Sequence, residues 1–151
     1  MDPYRKTERK GLQKRLLIID DEENMRHMLT SLFKGSAYRV DTASDGSEGL
    51  EMVGKAVYDY ILCDIKMPRM DGITFLKSAG DRISAATVIM MSAYGSIDTA
   101  VEAMKLGAYD FISKPFKAEE VRIILKKAEE RDNLKEENLQ LKNRINKIRE
   151  N

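Results

Sequence analysis

The chain has 151 residues, of which 42% are hydrophobic and 34% charged. That is enough for one domain with a proper core plus one further element, and it excludes a disordered chain. No apolar run approaches the roughly 18 to 20 residues that span a bilayer, so no membrane segment is predicted. The net charge of +1 is spread unevenly: six Lys/Arg against two acids in residues 1–15, ten against fifteen in 16–116, and ten against eight in 117–151. The acidic central part lacks the basic footprint that nucleic acid requires.

Residues 1–14 form a polar, basic stretch without the apolar run of a secretory signal, and read as a disordered terminal segment. Residues 15–117 then alternate between short apolar runs and amphipathic stretches. Arg15–Asp20 (RLLIID), Tyr38–Thr42 (YRVDT), Tyr58–Asp64 (YDYILCD), Thr87–Ser92 (TVIMMS) and Tyr109–Ser113 (YDFIS) are rich in β-branched or aromatic residues and predict five strands. Between them, helical spacing gives one core stripe of Met25, Met28, Leu29 and Leu32. A second comprises Ile97, Ala100, Val101 and Met104, with Ser96 as N-cap and Gly107 as the stop. This alternation predicts an α/β fold: a doubly wound, five-stranded parallel sheet in the order 2-1-3-4-5, with helices on both faces.

Residues 118–151 contain no Gly and no Pro and are rich in Glu, Lys, Leu and Arg, which predicts one extended C-terminal helix. Its first part, with Val121, Ile124, Leu125 and Ala128, suits packing on the sheet. Further on, Leu134, Asn138, Leu141, Ile145 and Ile148 are spaced 4, 3, 4, 3. This is a heptad seam with Leu134, Leu141 and Ile148 at d and Asn138 and Ile145 at a. Glu130 and Glu137 at g face Lys135 and Lys142 at e, whereas Arg144 and Arg149 fit that scheme poorly. The seam predicts a homodimer through the C-terminal helix; the alternative is a single amphipathic helix, docked on its own domain or fraying in water.

In an open parallel sheet, functional groups gather beyond the carboxyl ends of the strands. The first predicted strand ends in Asp20–Asp21, the third in Asp64, the fourth in Ser92, and Lys114 follows the fifth. Three carboxylates in one crevice repel one another. A hard divalent cation with oxygen ligands, Mg²⁺, resolves the repulsion, and Lys114 adds a compact positive charge. Such a site suits a phosphoryl group, with Mg²⁺ and Lys114 neutralising its oxygens while an Asp oxygen attacks phosphorus in line. Taken separately, the acidic pair would be an ordinary helix-capping cluster and the lysine an ordinary surface residue; their placement at four strand ends carries the argument.

The stretches LLIIDDEENMR, YDYILCDIKMPRMDG and VIMMSAYGSIDTAVEAMKLGAYDFISKPF resemble the receiver domain of two-component response regulators over residues 16–128. The resemblance implies that Asp64 is the phosphoacceptor and that Asp20 and Asp21 are the acidic pair, with Asp20, Asp21 and Asp64 all at the metal and Asp21 favoured over Asp20 as the direct Mg²⁺ ligand. The backbone carbonyl of Lys66 would be a further ligand. It also implies Ser92 and Phe111 as switch residues, Lys114 as the phosphate-contacting lysine before a cis Pro115, and Lys66 and Tyr94 as residues tuning dephosphorylation. Tyr109 shares the strand parity of Phe111, and proximity to Lys114 favours Phe111. The implied donor is a sensor histidine kinase, and the chain would catalyse only its own phosphorylation and dephosphorylation.

The wording around Ser92–Phe116, followed by a coiled coil, resembles the receivers of NtrC-type activators. In that class an ATPase acting with sigma-54 polymerase and a DNA-binding domain follow. No Gly-x-x-x-x-Gly-Lys-Ser/Thr loop is present here, which implies a receiver and linker belonging to a longer regulator, with no direct nucleic-acid contact by this part. His27 is expected on the surface. Cys63, the single cysteine, is expected in the core and suits a reducing compartment, the cytoplasm. A flavodoxin-like cofactor binder would need a Gly/Ser/Thr-rich first loop instead of Asp21–Glu22–Glu23–Asn24. An aspartyl phosphatase would need a carboxylate where Lys66 stands. A dimerisation module that never takes phosphate remains the chief alternative.

Overall fold

The structure is a computed structural model and describes residues 13–93 and 97–150. Five strands, β1 (Lys14–Ile19), β2 (Tyr38–Ala43), β3 (Tyr60–Asp64), β4 (Thr87–Ser92) and β5 (Asp110–Ser113), form one parallel sheet in the order β2-β1-β3-β4-β5. Helices α1 (Glu23–Phe33), α2 (Gly46–Lys55), α3 (Gly72–Ala79), α4 (Ile97–Lys105) and α5 (Ala118–Glu150) follow the strands in turn. A 3₁₀ turn at Gly80–Ile83 follows α3. The basic segment predicted for 1–14 lies, through residue 12, outside the described residues, as does the predicted cap Ser96.

Strand alternation builds two cores. Leu16, Ile18, Tyr60, Leu62, Ile89, Met91 and Ile112 point to the face covered by α1 and α5 and meet Leu29, Phe33, Val121, Leu125 and Ala128. Leu17, Ile19, Ile61, Cys63, Val88 and Met90 point to the other face and meet residues of α2, α3 and α4. The central strands are apolar on both faces because both faces are covered. Each fully buried Leu or Ile contributes about 1.5–3 kcal/mol.

Two helix faces differ from the sequence expectation. In α1 the buried residues are Leu29 and Phe33, and Met28 is exposed. In α4 the predicted core stripe points outward: Ile97 is 82% exposed, Val101 and Met104 are also exposed, and Ala103 is the buried residue. The small side chain lets the helix backbone approach the sheet, which turns the larger apolar residues to the flank and to solvent. Gly107, at φ +103°, ends this helix as expected.

Phe111 and Tyr109 also separate in a way that strand parity did not predict. Phe111 packs towards the α2/α3/α4 side, and Tyr109 towards the α1/α5 side. Tyr109 precedes β5, so the alternation of the strand does not extend to it. Helix α5 buries Val121, Leu125 and Ala128, and every residue from Glu137 to Glu150 is exposed. The helix therefore leaves the domain, contrary to the docked alternative. No helix among the described residues is long and apolar enough to cross a membrane.

Candidate functional site

The carboxyl ends of β1, β3 and β4 converge because the sheet order places β1 beside β3 and β3 beside β4. Asp20 follows β1 and is fully buried; its backbone amide donates to the Ala43 carbonyl at 3.1 Å. Its Oδ1 accepts from the Glu22 amide at 2.9 Å, which orients the carboxylate at the head of α1. Asp64 closes β3 and is 4% exposed. The loop beyond it turns back tightly, and the Gly72 amide donates to the Ile65 carbonyl at 2.8 Å. A Cβ on Gly72 would lie 2.3 Å from the Asp64 carbonyl oxygen, so glycine is required there.

Lys114 ties the strand ends together. Its backbone amide donates to the Ser92 carbonyl at 2.8 Å. Its Nζ lies 2.7 Å from Asp20 Oδ2, 3.3 Å from Asp64 Oδ2 and 3.7 Å from Glu22 Oε1. The bond from Lys114 to Pro115 is cis. Ser92 is buried at the end of β4, and Phe111 is half-buried in β5. Lys66 is on the surface of the loop after Asp64. Tyr94 lies outside the described residues.

One carboxylate oxygen from each of Asp20, Asp21 and Asp64 lies within 4.8 Å of the others. Asp20 and Asp64 are buried and Asp21 is exposed, so the trio opens to solvent on the Asp21 side. An all-oxygen donor set with one open side fits a hard divalent cation such as Mg²⁺, which keeps several waters.

The electrostatics follow from this crowding. Burial, then the charge of Asp20, pushes Asp64 up to about 6, with Lys114 opposing and Asp21 adding to the rise. Burial likewise raises Asp20, with the Lys114 hydrogen bond offsetting part of the effect. Burial alone would lower Lys114, but its hydrogen bond to Asp20 and the charges of Asp20 and Asp64 outweigh that and raise it. The site thus holds a protonated lysine between carboxylates that lack enough positive charge.

Sequence reasoning assigned no role to Arg26, whose Nη1 donates to the Asp20 carbonyl at 2.8 Å. It lies in the first turn of α1, and the turn of the chain into that helix brings it back to Asp20. Glu22, near the lysine, belonged to the acidic run but was not singled out. Cys63 is buried, with its thiol donating to the Asp64 carbonyl at 3.3 Å, and burial raises its pKa. His27 is exposed, 3.5 Å from Glu23. Both agree with the expectation for these residues.

A doubly wound sheet with three carboxylates and a lysine at its carboxyl edge defines a class of proteins whose strand ends offer oxygen ligands to a divalent cation. The chain belongs to the response regulator receiver domain family, whose model matches residues 16–126. The regulatory protein AtoC of Escherichia coli (strain K12) is 38% identical over 123 residues, which is 82% of this chain and 27% of AtoC. The transcriptional regulatory protein ZraR of Klebsiella oxytoca is 41% identical over 118 residues, 78% of this chain and 27% of ZraR. The chain therefore spans about a quarter of the length of these relatives. Among solved structures, a chain of the CheX-CheY-BeF3-Mg²⁺ complex from Borrelia burgdorferi superposes with a TM-score of 0.73 at 32% identity. It covers 78% of this chain and 90% of its own.

Proposed function

We propose that this chain is a phosphorylation-dependent signalling switch that accepts a phosphoryl group on Asp64 from a sensor histidine kinase. The observation that carries the reading is the position of Lys114 Nζ, 2.7 Å from Asp20 and 3.3 Å from Asp64, beside a carboxylate trio open on one side. In the transfer, an Asp64 carboxylate oxygen attacks phosphorus; a new P–O bond forms as the P–N bond to the donor histidine breaks. Lys114 has two carboxylates to hold it in place and can rotate its ammonium towards the incoming phosphoryl oxygens.

Asp20, Asp21, Asp64 and the Lys66 backbone carbonyl would hold Mg²⁺, with Asp21 as the most accessible carboxylate. When bound, Mg²⁺ neutralises charge on the trio and on the phosphoryl oxygens. Ser92 would donate its hydroxyl to a phosphoryl oxygen, and the half-buried Phe111 would turn into the space that Ser92 vacates. Lys66 and Tyr94 would flank the path of the hydrolytic water. The CheX-CheY complex, which carries BeF3 and Mg²⁺, supports the chemistry, since beryllofluoride is a phosphoryl mimic.

In this reading residues 15–117 are the receiver core and 118–151 the output linker. The exposed seam of Leu134, Asn138, Leu141, Ile145 and Ile148 pairs with a second copy, and phosphorylation changes the receiver arrangement in that dimer. Asn138 at an a position favours a two-stranded, in-register pairing. The likeness to AtoC and ZraR over only their receiver-sized share supports a longer cytoplasmic regulator, in which a sigma-54-type ATPase and a DNA-binding domain follow. Incubation with acetyl phosphate and Mg²⁺ should give a stoichiometric, hydroxylamine-sensitive label that Asp64→Asn abolishes, because an amide oxygen is too poor a nucleophile. Labelling of the mutant to the wild-type extent would sink the assignment.

A further inference from the structure

The contact between α5 and the sheet changes character along the helix. Its first three turns dock through the apolar residues Val121, Leu125 and Ala128. The next turn, just before the helix leaves the receiver, docks through polar groups. The Tyr38 hydroxyl donates to Glu129, and the Tyr60 hydroxyl donates to Asp132 at 2.9 Å. Arg131 Nη2 donates to Thr87 Oγ1 at 2.7 Å and to Asp132 Oδ1 at 3.2 Å, and its guanidinium lies 4.3 Å from the centre of the Tyr109 ring. These partners come from the amino ends of β2, β3 and β4 and from the residue before β5, so four of the five strands are tied to residues 129–132.

The sheet side of this contact is rigid. Tyr60 and Thr87 are buried. Phe33, Tyr38 and Tyr60 pack edge to face, with ring centres 5.3 and 5.8 Å apart. Burial, together with the carboxylates they face, pushes both tyrosine hydroxyls far above their ordinary range, so they remain protonated donors. Apolar contact through Val121, Leu125 and Ala128 resists separation of helix and sheet but is non-directional. Three directed contacts at separate lateral positions also fix the rotation of the helix and hold this one turn in place, so that the helix can only pivot about it.

We infer that Glu129, Arg131 and Asp132, with Tyr38, Tyr60 and Thr87, form a clamp that sets the direction in which residues 133–150 leave the receiver. The segment from Ala118 to Asp132 is a rod roughly 20 Å long, running from the Lys114 end of the sheet to the opposite end. A shift of its start, beside Phe116, is converted by the clamp into a tilt of the free segment. The clamp residues act through α5 and are positioning residues. The inference rests on the proposed function only in treating that tilt as the output.

The test uses the full chain and the variants Tyr38→Phe/Tyr60→Phe and Arg131→Met, which keep the apolar bulk and remove the directed contacts. Amide hydrogen exchange in residues 129–135 should accelerate at least tenfold in each, while β1 and β3 amides and acetyl-phosphate labelling of Asp64 stay as in the wild type. Sedimentation equilibrium should then show a dimer whose association constant no longer responds to beryllofluoride. Unchanged exchange in 129–135, or acceleration spread equally over the strands, overturns the clamp. A wild-type chain that is monomeric with and without beryllofluoride overturns the dimer output instead, and the exchange measurement still decides the clamp.

Discussion

At the carboxyl ends of the strands, Asp20, Asp21 and Asp64 face one another with one lysine among them. At the amino ends, Asp41, Asp59, Glu129 and Asp132 each accept a hydrogen bond from a nearby donor: Arg15 and Tyr58 on Asp41, the Arg15 amide on Asp59, Tyr38 on Glu129, and Tyr60 on Asp132. Both ends bring carboxylates against a sheet; among the described residues each of the four at the amino end has its own donor, whereas Asp20 and Asp64 share the Lys114 ammonium. The first end is left short of positive charge and gains from a cation or from neutralisation; the second is already matched and serves to hold the fold. The same residue types therefore read as a binding site or as structure according to whether hydrogen-bond donors already satisfy them.

This contrast is sharpest in the chemistry. Replacing Lys114 by Met removes the ammonium held between Asp20 and Asp64, and labelling of Asp64 by acetyl phosphate should slow roughly 100- to 1000-fold, the usual cost of losing one preorganised charge-stabilising group. A rate within threefold of wild type would show that the lysine is only structural.

The next effect is on stability. In the folded chain Asp64 titrates at about 6, against 3.8 for an ordinary aspartate. The folded state binds that proton more tightly than the unfolded chain does. Ionisation therefore weakens the fold progressively as pH rises through the interval between those two values, by about 3 kcal/mol above it. Without Mg²⁺, Asp64→Asn should be more stable than wild type by about that amount at pH 8, and the difference should vanish below about pH 3. Denaturant midpoints measured across pH would show it; a mutant less stable at pH 8 would contradict the charge shortage.

Removing Asp21, the accessible member of the trio, should weaken Mg²⁺ binding about tenfold, equivalent to about 1.4 kcal/mol. A Mg²⁺ titration followed by tyrosine fluorescence tests this, and an unchanged midpoint removes Asp21 from the ligand set. The smallest effect has the opposite sign. Asp41→Ala at the amino end leaves the Tyr58 hydroxyl and Arg15 without their shared acceptor and should destabilise the fold by about 1 kcal/mol. A gain in stability there would erase the distinction between the two ends.

Much of this was legible from residue order. The strand runs RLLIID, YILCD and TVIMMS are apolar on both faces, which only a doubly covered parallel sheet accommodates; the first two end in the carboxylates of Asp20 and Asp64 and the third in Ser92. The outward face of α4 was not legible, because Ile97, Val101 and Met104 have core spacing and the small residue that packs, Ala103, carries no strong signal. Nor was the split between Tyr109 and Phe111, since periodicity does not say where a strand begins. The contacts of Glu129, Arg131 and Asp132 were invisible for another reason: in sequence they belong to an ordinary charged helix surface, and their hydrogen-bond partners on the strands lie 44 to 91 positions away.

By itself the sequence determined the elements, their order along the chain, the apolar faces of the strands and the chemistry available at their carboxyl ends, because each follows from local periodicity and from residue type. Tertiary structure alone decided which carboxylates are matched and which are not. Charge balance depends on distances between groups far apart in the chain, and the sheet order sets those distances. It placed Lys114 between Asp20 and Asp64, and it set Tyr38, Tyr60 and Thr87 against one turn of α5.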